Sequence, residues 1–278
     1  MAARTGRVVV SGLAFGESPR WRDGSLYVCD WGAGEVRRLD GDGCVQVVAR
    51  CDSFPLCVDL DPDGRLLVVS STTGQLLRQE PDGSLVVHAE LDGAGDPPWN
   101  EVLVAPDGTA WVDGIGFAFG EEVPRPGFVV AVAADGAVTR VAEDLLFPNG
   151  MALVDDGSTL LVAESYGHRV TAFDVGPAGT LHGRRVWADL GEGTPDGICA
   201  DAQGALWYAD VPARRCVRVR EDGEVLDVVE LERGCFSCVL GGPDGRTLFV
   251  VTQDWGQEPS GAGGAVVAVR VDVPGAAR

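Results

Sequence analysis

Short apolar runs recur along this 278-residue chain, and each follows a turn that contains glycine. The runs are rich in Val, Leu, Trp and Tyr, which suit the pleated, buried surface of a β-strand. Most of the turns are Asp-Gly, a strong hairpin signal because the turn needs positive φ. Six copies lie 40 to 49 residues apart, with their glycines at Gly24, Gly64, Gly108, Gly157, Gly204 and Gly245.

Four of the repeats contain a second turn signal, which leads into another strand-like run. These turns are Gly41-Asp42-Gly43, Asp82-Gly83, Asp135-Gly136 and Asp222-Gly223. About four strands per repeat of 40 to 50 residues is the size of a propeller blade. No stretch of ten or more residues has a convincing helical period. The sequence therefore predicts an all-β fold, a six-bladed β-propeller with four-stranded blades, in which residues 1–278 form a single domain.

The chain has only two asparagines, and both occupy the same point of the repeat. Asn100, Asn149 and Asp196 lie eight residues before their turn glycines, and Glu17 lies seven before its own. If the repeats surround an axis, these four oxygen-bearing side chains converge on it. The equivalent positions of the other two repeats are Leu56 and Ser237.

Such a ring of oxygen atoms predicts a site for one divalent metal ion. Two carboxylates and two amides suit Ca²⁺ best, and Mg²⁺, Mn²⁺, Zn²⁺ and Fe²⁺ are the alternatives. Asn and Asp before Gly also initiate turns, which is the competing interpretation at each position alone. Four coincident positions favour the metal site.

The net charge of −20 argues against nucleic acid or an anionic membrane as a partner, because both need basic patches. A solvated surface with no further role is the alternative interpretation of the acidity. Residues 1–12 show no apolar signal segment, and no run of eighteen apolar residues occurs, so we expect a cytoplasmic protein. All 22 basic residues are Arg, which excludes a lysine nucleophile.

Other catalytic constellations are absent from the sequence. The three histidines lie outside the inner repeat position, so a histidine base or metal site is not expected. There is no Gly-x-Ser-x-Gly elbow and no phosphate-binding loop. The eight cysteines are interpreted as small buried apolar residues, because the Cys235 and Cys238 pair has no second pair at zinc spacing. The alternative places some of them near the mouth of a pocket.

Four segments carry a resemblance to a known family. They are FGESPRW (15–21), FPNGMALVDDGSTLLVAES (147–165), TPDGICADAQGALWYAD (194–210) and CVLGGPDGRTLFV (238–250). They resemble the senescence-marker-protein/gluconolactonase family, six-bladed propellers that include regucalcin and bacterial sugar lactonases. The resemblance covers nearly the whole chain and is more specific for fold and metal site than for substrate.

The resemblance implies a site and a reaction. Glu17, Asn149 and Asp196 would be the direct protein ligands of the metal, and Asn100 would touch the metal or the substrate. A strand at about residues 6–13 would pair with the last blade and close the ring. The expected reaction is hydrolysis of a lactone, with the carbonyl polarised by the metal and the water activated by Asp196 as general base.

The chain also departs from the family pattern near the third inner position. Sugar lactonases often carry Arg two residues before the Asn, whereas this chain has Pro98, with Trp99 beside it. Glu101 follows the Asn, where Asp is frequent. These departures argue against a polyhydroxylated sugar lactone as substrate.

Segment 114–127 contains Phe117 and Phe119 before a Pro-rich stretch, and we interpret it as a loop over the tunnel mouth that favours a less polar substrate. The alternative is an ordinary blade loop that packs its phenylalanines inward. The predicted substrate-binding residues are Asn100, Trp99, Glu101, Phe117 and Phe119.

Two other function classes stay open at this point. The same metal site could catalyse ester or phosphotriester hydrolysis, or a specialised biosynthetic or catabolic step. A non-catalytic propeller that binds Ca²⁺ or a partner is the second class, because a fold alone does not imply a function.

Overall fold

The computed structural model describes residues 4–120, 123–254 and 263–276. Within these residues, 24 strands form six antiparallel sheets of four strands each, and three single-turn 3₁₀ segments are the only helical elements. The predicted six-bladed β-propeller is therefore confirmed.

Each blade is one sheet, numbered here from the sheet that follows the first strand. The first strand is β1 (Arg7–Leu13). Blade 1 contains β2 (Gly16–Arg22), β3 (Ser25–Asp30), β4 (Glu35–Leu39) and β5 (Val45–Arg50). Blade 2 contains β6 (Leu56–Leu60), β7 (Leu66–Ser70), β8 (Gln75–Gln79) and β9 (Leu85–Glu90). Blade 3 contains β10 (Trp99–Val104), β11 (Ala110–Gly114), β12 (Gly127–Val132) and β13 (Val138–Leu145).

The second half of the chain continues the same order. Blade 4 contains β14 (Pro148–Val154), β15 (Thr159–Glu164), β16 (Arg169–Val175) and β17 (Leu181–Asp189). Blade 5 contains β18 (Pro195–Ala200), β19 (Leu206–Asp210), β20 (Arg215–Val219) and β21 (Val225–Glu230). Blade 6 contains β22 (Gly234–Gly241), β23 (Thr247–Gln253) and β24 (Gly264–Arg270), with β1 as its fourth strand.

The two ends of the chain meet in blade 6, as the resemblance implied. Strand β1 pairs antiparallel with β24, from Arg7 opposite Ala268 to Leu13 opposite Gly264. This pairing closes the ring and covers the sheet edge that β24 would otherwise expose.

A turn joins the first two strands of each blade, Asp-Gly in five blades and Gln203-Gly204 in blade 5, and the turn glycines have the backbone conformation that the sequence predicted. All six turn glycines have φ between +70° and +87°. Residues other than glycine rarely adopt this region. The repeat spacing therefore reflects one turn per blade at one end of the propeller, so that the starts of the inner strands lie at the other end.

Hydrophobic side chains fill the space between neighbouring blades. One cluster joins Leu67 and Val69 of β7 to Trp99 and Val102 of β10, with Phe128 of β12. Similar clusters lie between the other blades. The core is thus a ring of sheet-to-sheet interfaces around the axis, and the first strands of the blades contact each other across blade boundaries.

Two further sequence predictions concern membranes and cysteines. No helix among the described residues is long and apolar enough to cross a membrane. All eight cysteines are free thiols, and five of them are buried, in agreement with the interpretation of most as small core residues.

Candidate active site at the propeller axis

The inner strands β2, β10, β14, β18 and β22 share an irregularity near their first residues. The register with the second strand of the blade shifts between Glu17 and Arg20, Trp99 and Val102, Pro148 and Met151, Pro195 and Ile198, and Cys235 and Ser237. Such shifts redirect side chains away from the regular alternation of a strand. In β6 of blade 2, pairing runs from Leu56 to Leu60 without a shift. The irregularity therefore accompanies every oxygen-bearing inner position and is missing where that position is Leu.

Close approach of neighbouring inner strands explains the glycine that follows two of the predicted ligands. A Cβ on Gly150 would lie 2.5 Å from the Ile198 nitrogen and 2.7 Å from the Asp196 oxygen. A Cβ on Gly197 would lie 2.5 Å from the Ser237 Cβ. Blades 4, 5 and 6 can meet at the axis because these two positions carry no side chain.

A buried ion-pair network joins blades 1, 2 and 3 in the same region. The Arg20 guanidinium donates to Glu101 Oε1 and to the Val102 carbonyl, both at 2.7 Å, and its Nε lies 3.6 Å from Asp59 Oδ1. Ser18 Oγ accepts the Val58 N–H and lies 3.1 Å from Glu101 Oε1. Glu101 is therefore held in the protein interior by Arg20 and Ser18.

Carboxylates from several blades influence each other at the axis. Burial and the nearby Asp196 carboxylate raise the pKa of Glu17 well above its usual value. Burial and the Glu101 charge raise the pKa of Asp196 to about 8, although hydrogen bonds from Asn149 and the Gly197 N–H oppose the shift. These mutual effects show that the predicted ligands of blades 1, 4 and 5 share one electrostatic environment.

Asp113 on β11 adds a further carboxyl group beside this cluster. It is fully buried, and its Oδ1 accepts the Glu101 N–H at 2.9 Å. Its Oδ2 has no hydrogen-bond partner among the described residues. Burial, with the charges of Glu101 and Asp196, raises the pKa of Asp113 well above its usual value. The axis thus holds more buried carboxyl groups than Arg20 alone can compensate as anions.

The donor set fits a hard divalent cation. Glu17 and Asp196 supply carboxylates. The Asn149 amide nitrogen donates to Asp196 and, at 3.4 Å, to Ser165 Oγ, so the amide oxygen of Asn149 is left to bind a cation. No group of three or more His, Cys, Asp and Glu side chains within the described ranges has the arrangement of a metal site. The cation would therefore rest on two carboxylates and amide oxygen, a set that suits Ca²⁺ or Mg²⁺ better than a soft metal.

Aromatic side chains stand at the same end of the propeller as the ligands. Phe15, Trp31, Phe54 and Phe236 form one cluster, from blades 1, 2 and 6, with ring centroids 5.0 to 5.8 Å apart. Phe117, Phe119, Phe147 and Tyr166 form a second, from blades 3 and 4, with centroids 4.8 to 6.1 Å apart. We call them the first and second aromatic walls. Phe15 precedes Glu17 by two residues, and Phe147 precedes Asn149 by two, so both walls adjoin the axial site.

Residues 15–254 match the family model described as SMP-30/Gluconolactonase/LRE-like region. The chain belongs to this family. It is 28% identical to 6-deoxy-6-sulfogluconolactonase of Pseudomonas putida, over 97% of this chain and 96% of that protein. It is also 28% identical to regucalcin of Xenopus laevis, over 97% of this chain and 95% of that protein. The structure of the calcium-binding protein regucalcin from Agrobacterium tumefaciens shares the fold, with a TM-score of 0.82 and 23% identity over 99% of this chain and 98% of that one.

Membership of the SMP-30/gluconolactonase family confirms the resemblance on which the ligand assignments depend. The assignments of Glu17, Asn149 and Asp196 as ligands, and of Asp196 as base, stay predictions. Asn100, on β10, is buried and sits at the inner position of blade 3. Its role toward metal or substrate is likewise a prediction.

The other predicted substrate-binding residues occupy different environments. Trp99 is 0% exposed and packs its ring against Phe128 in the core between blades 2 and 3. Glu101 is engaged by Arg20. In the loop between β11 and β12, Phe117 is 2% exposed and Phe119 is 56% exposed. That loop therefore packs Phe117 inward and exposes Phe119 to solvent. Its placement over a tunnel mouth stays a prediction, and residues 121 and 122 lie outside the described ranges.

Sequence reasoning missed the buried partners of the site and the first aromatic wall. Arg20, Asp59 and Asp113 lie outside the eight-residue register, and their convergence comes from strands of different blades. The first wall did leave a signal: Phe15 and Phe54 precede Glu17 and Leu56 by two residues, as Phe147 precedes Asn149.

Proposed function

We propose that this protein is a divalent-metal-dependent hydrolase that opens a lactone ring at the propeller axis. The observation that supports the proposal most is that three blades bring Glu17, Asn149 and Asp196 into interaction. The Asp196 charge raises the pKa of Glu17, and the Asn149 side chain forms a hydrogen bond with Asp196. The name of the Pseudomonas putida relative, 6-deoxy-6-sulfogluconolactonase, favours lactone chemistry over other hydrolysis.

In this proposal, Glu17, Asn149 and Asp196 hold the cation, and Asn100 orients the substrate. The bound cation would supply Lewis acidity that polarises the lactone carbonyl. Asp196 accepts a proton from the attacking water, whose oxygen forms a bond to the carbonyl carbon. The ring C–O bond then breaks, and the departing oxygen takes the proton from Asp196, so that the product is a hydroxy acid and the carboxylate is restored.

The rest of the axis prepares this step. Arg20 and Ser18 hold Glu101 in place, so that its charge acts on the site at a fixed position. Burial of the carboxylates reduces the screening of their charges by solvent, which strengthens their attraction for a bound cation.

The test uses metal-stripped protein to which Ca²⁺, Mg²⁺, Mn²⁺, Zn²⁺ or Fe²⁺ is restored in turn. Hydrolysis of a panel of lactones, esters and phosphotriesters is then measured by the release of protons. We expect turnover of a lactone class only after metal addition. Glu17→Gln should weaken metal binding measured by calorimetry, whereas the matched control Glu221→Gln, exposed in a distant turn, should not. Turnover by the stripped protein, or equal metal affinity in both variants, would contradict the proposal.

A second candidate function is binding of Ca²⁺ without turnover. The Agrobacterium tumefaciens structure with the same fold is described as a calcium-binding protein, which favours this candidate. Tight Ca²⁺ binding by calorimetry together with no hydrolysis of any panel member would select it over the lactonase.

A further inference from the structure

We propose that the substrate of the axial site carries an aryl or branched alkyl substituent on its lactone ring, which lies between the two aromatic walls. This inference rests on the proposed lactonase function and names the substrate class. A polyhydroxylated sugar lactone does not fit the side chains that surround the entrance.

The first wall combines stacked and edge contacts around Phe15. The Phe15 and Trp31 rings stack with centroids 5.0 Å apart, and Phe54 meets both edge-on at 5.8 and 5.1 Å. Phe236 packs against Phe15 from blade 6 at 5.5 Å. Phe54 is 52% exposed, so the wall presents an aromatic surface to solvent. Its backbone is fixed, because the Phe15 N–H donates to Asp30 and its carbonyl accepts the Trp31 N–H at 2.7 Å.

The second wall rises from blades 3 and 4. Phe147 lies at its centre, 4.8 Å from Tyr166 and 5.7 Å from both Phe117 and Phe119. Phe119 is 56% exposed and Tyr166 is 44% exposed, whereas Phe117 is buried beneath them. Contiguous apolar surface exposed to solvent is typical of ligand-binding grooves and interaction sites.

Backbone strain at Phe147 supports a role for the position of its ring. Phe147 has φ of +57°, a left-handed conformation that bulky residues rarely adopt. The Ser165 N–H holds the Phe147 carbonyl at 3.0 Å. Strain of this kind collects at functional sites, where the surrounding structure enforces it. The same backbone leads directly to Asn149, so one local geometry sets both the wall and the predicted ligand.

The residues two positions before the six inner positions are mostly apolar, and Cys235 among them is fully buried in the core between blades 5 and 6. They are Phe15, Phe54, Pro98, Phe147, Thr194 and Cys235. Thr194 is the single one that carries a hydroxyl, and none is charged. Six of the nine phenylalanines of the chain belong to the two walls. A substrate with several hydroxyl groups would lose its water hydrogen bonds here without replacement, which is costly, whereas an aryl group would gain burial.

The experiment compares three lactones on the metal-loaded protein: γ-butyrolactone, its γ-phenyl derivative and glucono-1,5-lactone. We expect kcat/KM for the phenyl compound to exceed that of the other two by about tenfold or more, as burial of a phenyl group predicts. Phe54→Ala and Phe119→Ala should each lower kcat/KM for the phenyl compound several-fold, through KM, and should lower it less for γ-butyrolactone, which has no substituent to contact the walls. Val186→Ala, an exposed apolar residue on β17, is the matched control and should change neither.

A binding measurement keeps the two proposals separable. The γ-phenyl lactam, which resists hydrolysis, should bind the wild type more tightly than Phe54→Ala or Phe119→Ala in calorimetry. If the lactam binds the wild type more tightly than the variants and no lactone is hydrolysed, the lactonase proposal is wrong and the walls remain a binding site. Preferred turnover of glucono-1,5-lactone, or equal losses for all three lactones in the variants, would overturn this inference and leave the lactonase standing.

Discussion

Blades 2 and 4 have the same strand order, but their inner strands present different side chains at the predicted ligand position. In blade 4 the inner strand shifts register between Pro148 and Met151, and Asn149 falls at the shift. In blade 2 the inner strand pairs regularly, and Leu56 is fully buried in the core between blades 1 and 2. A local register shift is thus what separates a blade that supplies a predicted ligand from one that supplies only packing.

The second strand of each blade shows a parallel difference. The last residue of this strand is a buried carboxylate in blades 1, 4 and 5, namely Asp30, Glu164 and Asp210. In blade 2 it is Ser70. Asp30 accepts the N–H groups of Ala14 and Phe15, and Glu164 accepts that of Leu146 at 2.7 Å. Asp210 pairs instead with Arg215. In blades 1 and 4, a carboxylate therefore anchors the loop that leads into the ligand-bearing strand.

The largest effect is expected where a ligand blade loses its reactive group. Asp196→Asn should lower kcat/KM about 10²- to 10⁴-fold on whichever substrate is turned over, because it removes both a proton acceptor and a metal-binding charge. In the metal-free protein, the thermal unfolding midpoint should stay at or above that of the wild type, since an amide at this buried position cannot ionise. Asp63→Asn, exposed at a turn of blade 2, serves as the control; comparable activity in both variants would remove Asp196 from the mechanism.

Blade 2 should respond in stability and not in metal binding. Leu56→Ala should lower the free energy of unfolding by about 2–5 kcal/mol, because it leaves a cavity in a fully buried cluster. Denaturant titration measures the loss, and calorimetry should show unchanged metal affinity at a temperature where the variant is folded. Val86→Ala, exposed on β9 of the same blade, should cost less than about 0.5 kcal/mol. Loss of metal affinity in Leu56→Ala would erase the contrast between the blades.

The residue after each inner position gives a smaller and more local test. Gly197→Ala should destabilise the protein by about 1–3 kcal/mol, because the added methyl would meet the Ser237 backbone at 2.7 Å. Metal affinity should fall too, since Asp196 is the preceding residue. Gly41→Ala is the control, because a methyl group at that position would have no atom within 4 Å. In blade 2 the corresponding residue is Cys57, which shows that a side chain fits at this position there. If Gly197→Ala were tolerated, the inner strands of blades 5 and 6 would be no closer together than those around blade 2.

The smallest effect concerns the carboxylate that anchors the blade 4 loop. Burial alone would raise the pKa of Glu164, but hydrogen bonds from Arg169, the Leu146 N–H and Thr171 outweigh it and lower the pKa below its usual value. Glu164→Gln should therefore cost about 1–2 kcal/mol of stability near pH 7. The lowered pKa means that this contribution is present above about pH 4.5 and disappears as the pH falls through the folded-state value.

Urea titrations of wild type and Glu164→Gln from pH 3 to pH 7 measure that dependence. The two curves should converge at low pH. Glu80→Gln, a partly exposed partner of Arg78 in blade 2, should show a smaller difference throughout. A gap between wild type and Glu164→Gln that stays constant over this range would exclude the ionised carboxylate as its cause.

The sequence was sufficient for the fold because the repeat is local. Each Asp-Gly turn and the run after it can be recognised within about ten residues, and six evenly spaced copies leave few architectures. The candidate ring at Glu17, Asn149 and Asp196 could also be predicted, since the spacing of seven or eight residues to the turn glycine is a property of one hairpin.

The contacts that could not be predicted from the sequence are those between residues of different blades. Nothing within blade 1 indicates that Arg20 meets Glu101 of blade 3, and nothing near Trp99 indicates that its ring turns into the core. Trp99 was predicted to bind substrate because it adjoins Asn100, but a register shift lies between Trp99 and Val102, and strand alternation alone does not fix the direction of a side chain at such a shift. The side on which each residue falls is decided by packing with the adjacent blade, which one sequence does not display.

The closure of blade 6 also determines when the molecule can be completed during synthesis. The pair Arg7 and Ala268 is separated by 261 residues (268 − 7). Strand β1 leaves the ribosome first, yet it has no place to pair until β24 has been made. Blades 1 to 5 can each form from contiguous chain, whereas the last sheet must wait for the opposite terminus, a connection of high contact order. The ring can therefore close only after β24 has been made, so β1 pairs later than the strands of blades 1 to 5 are able to.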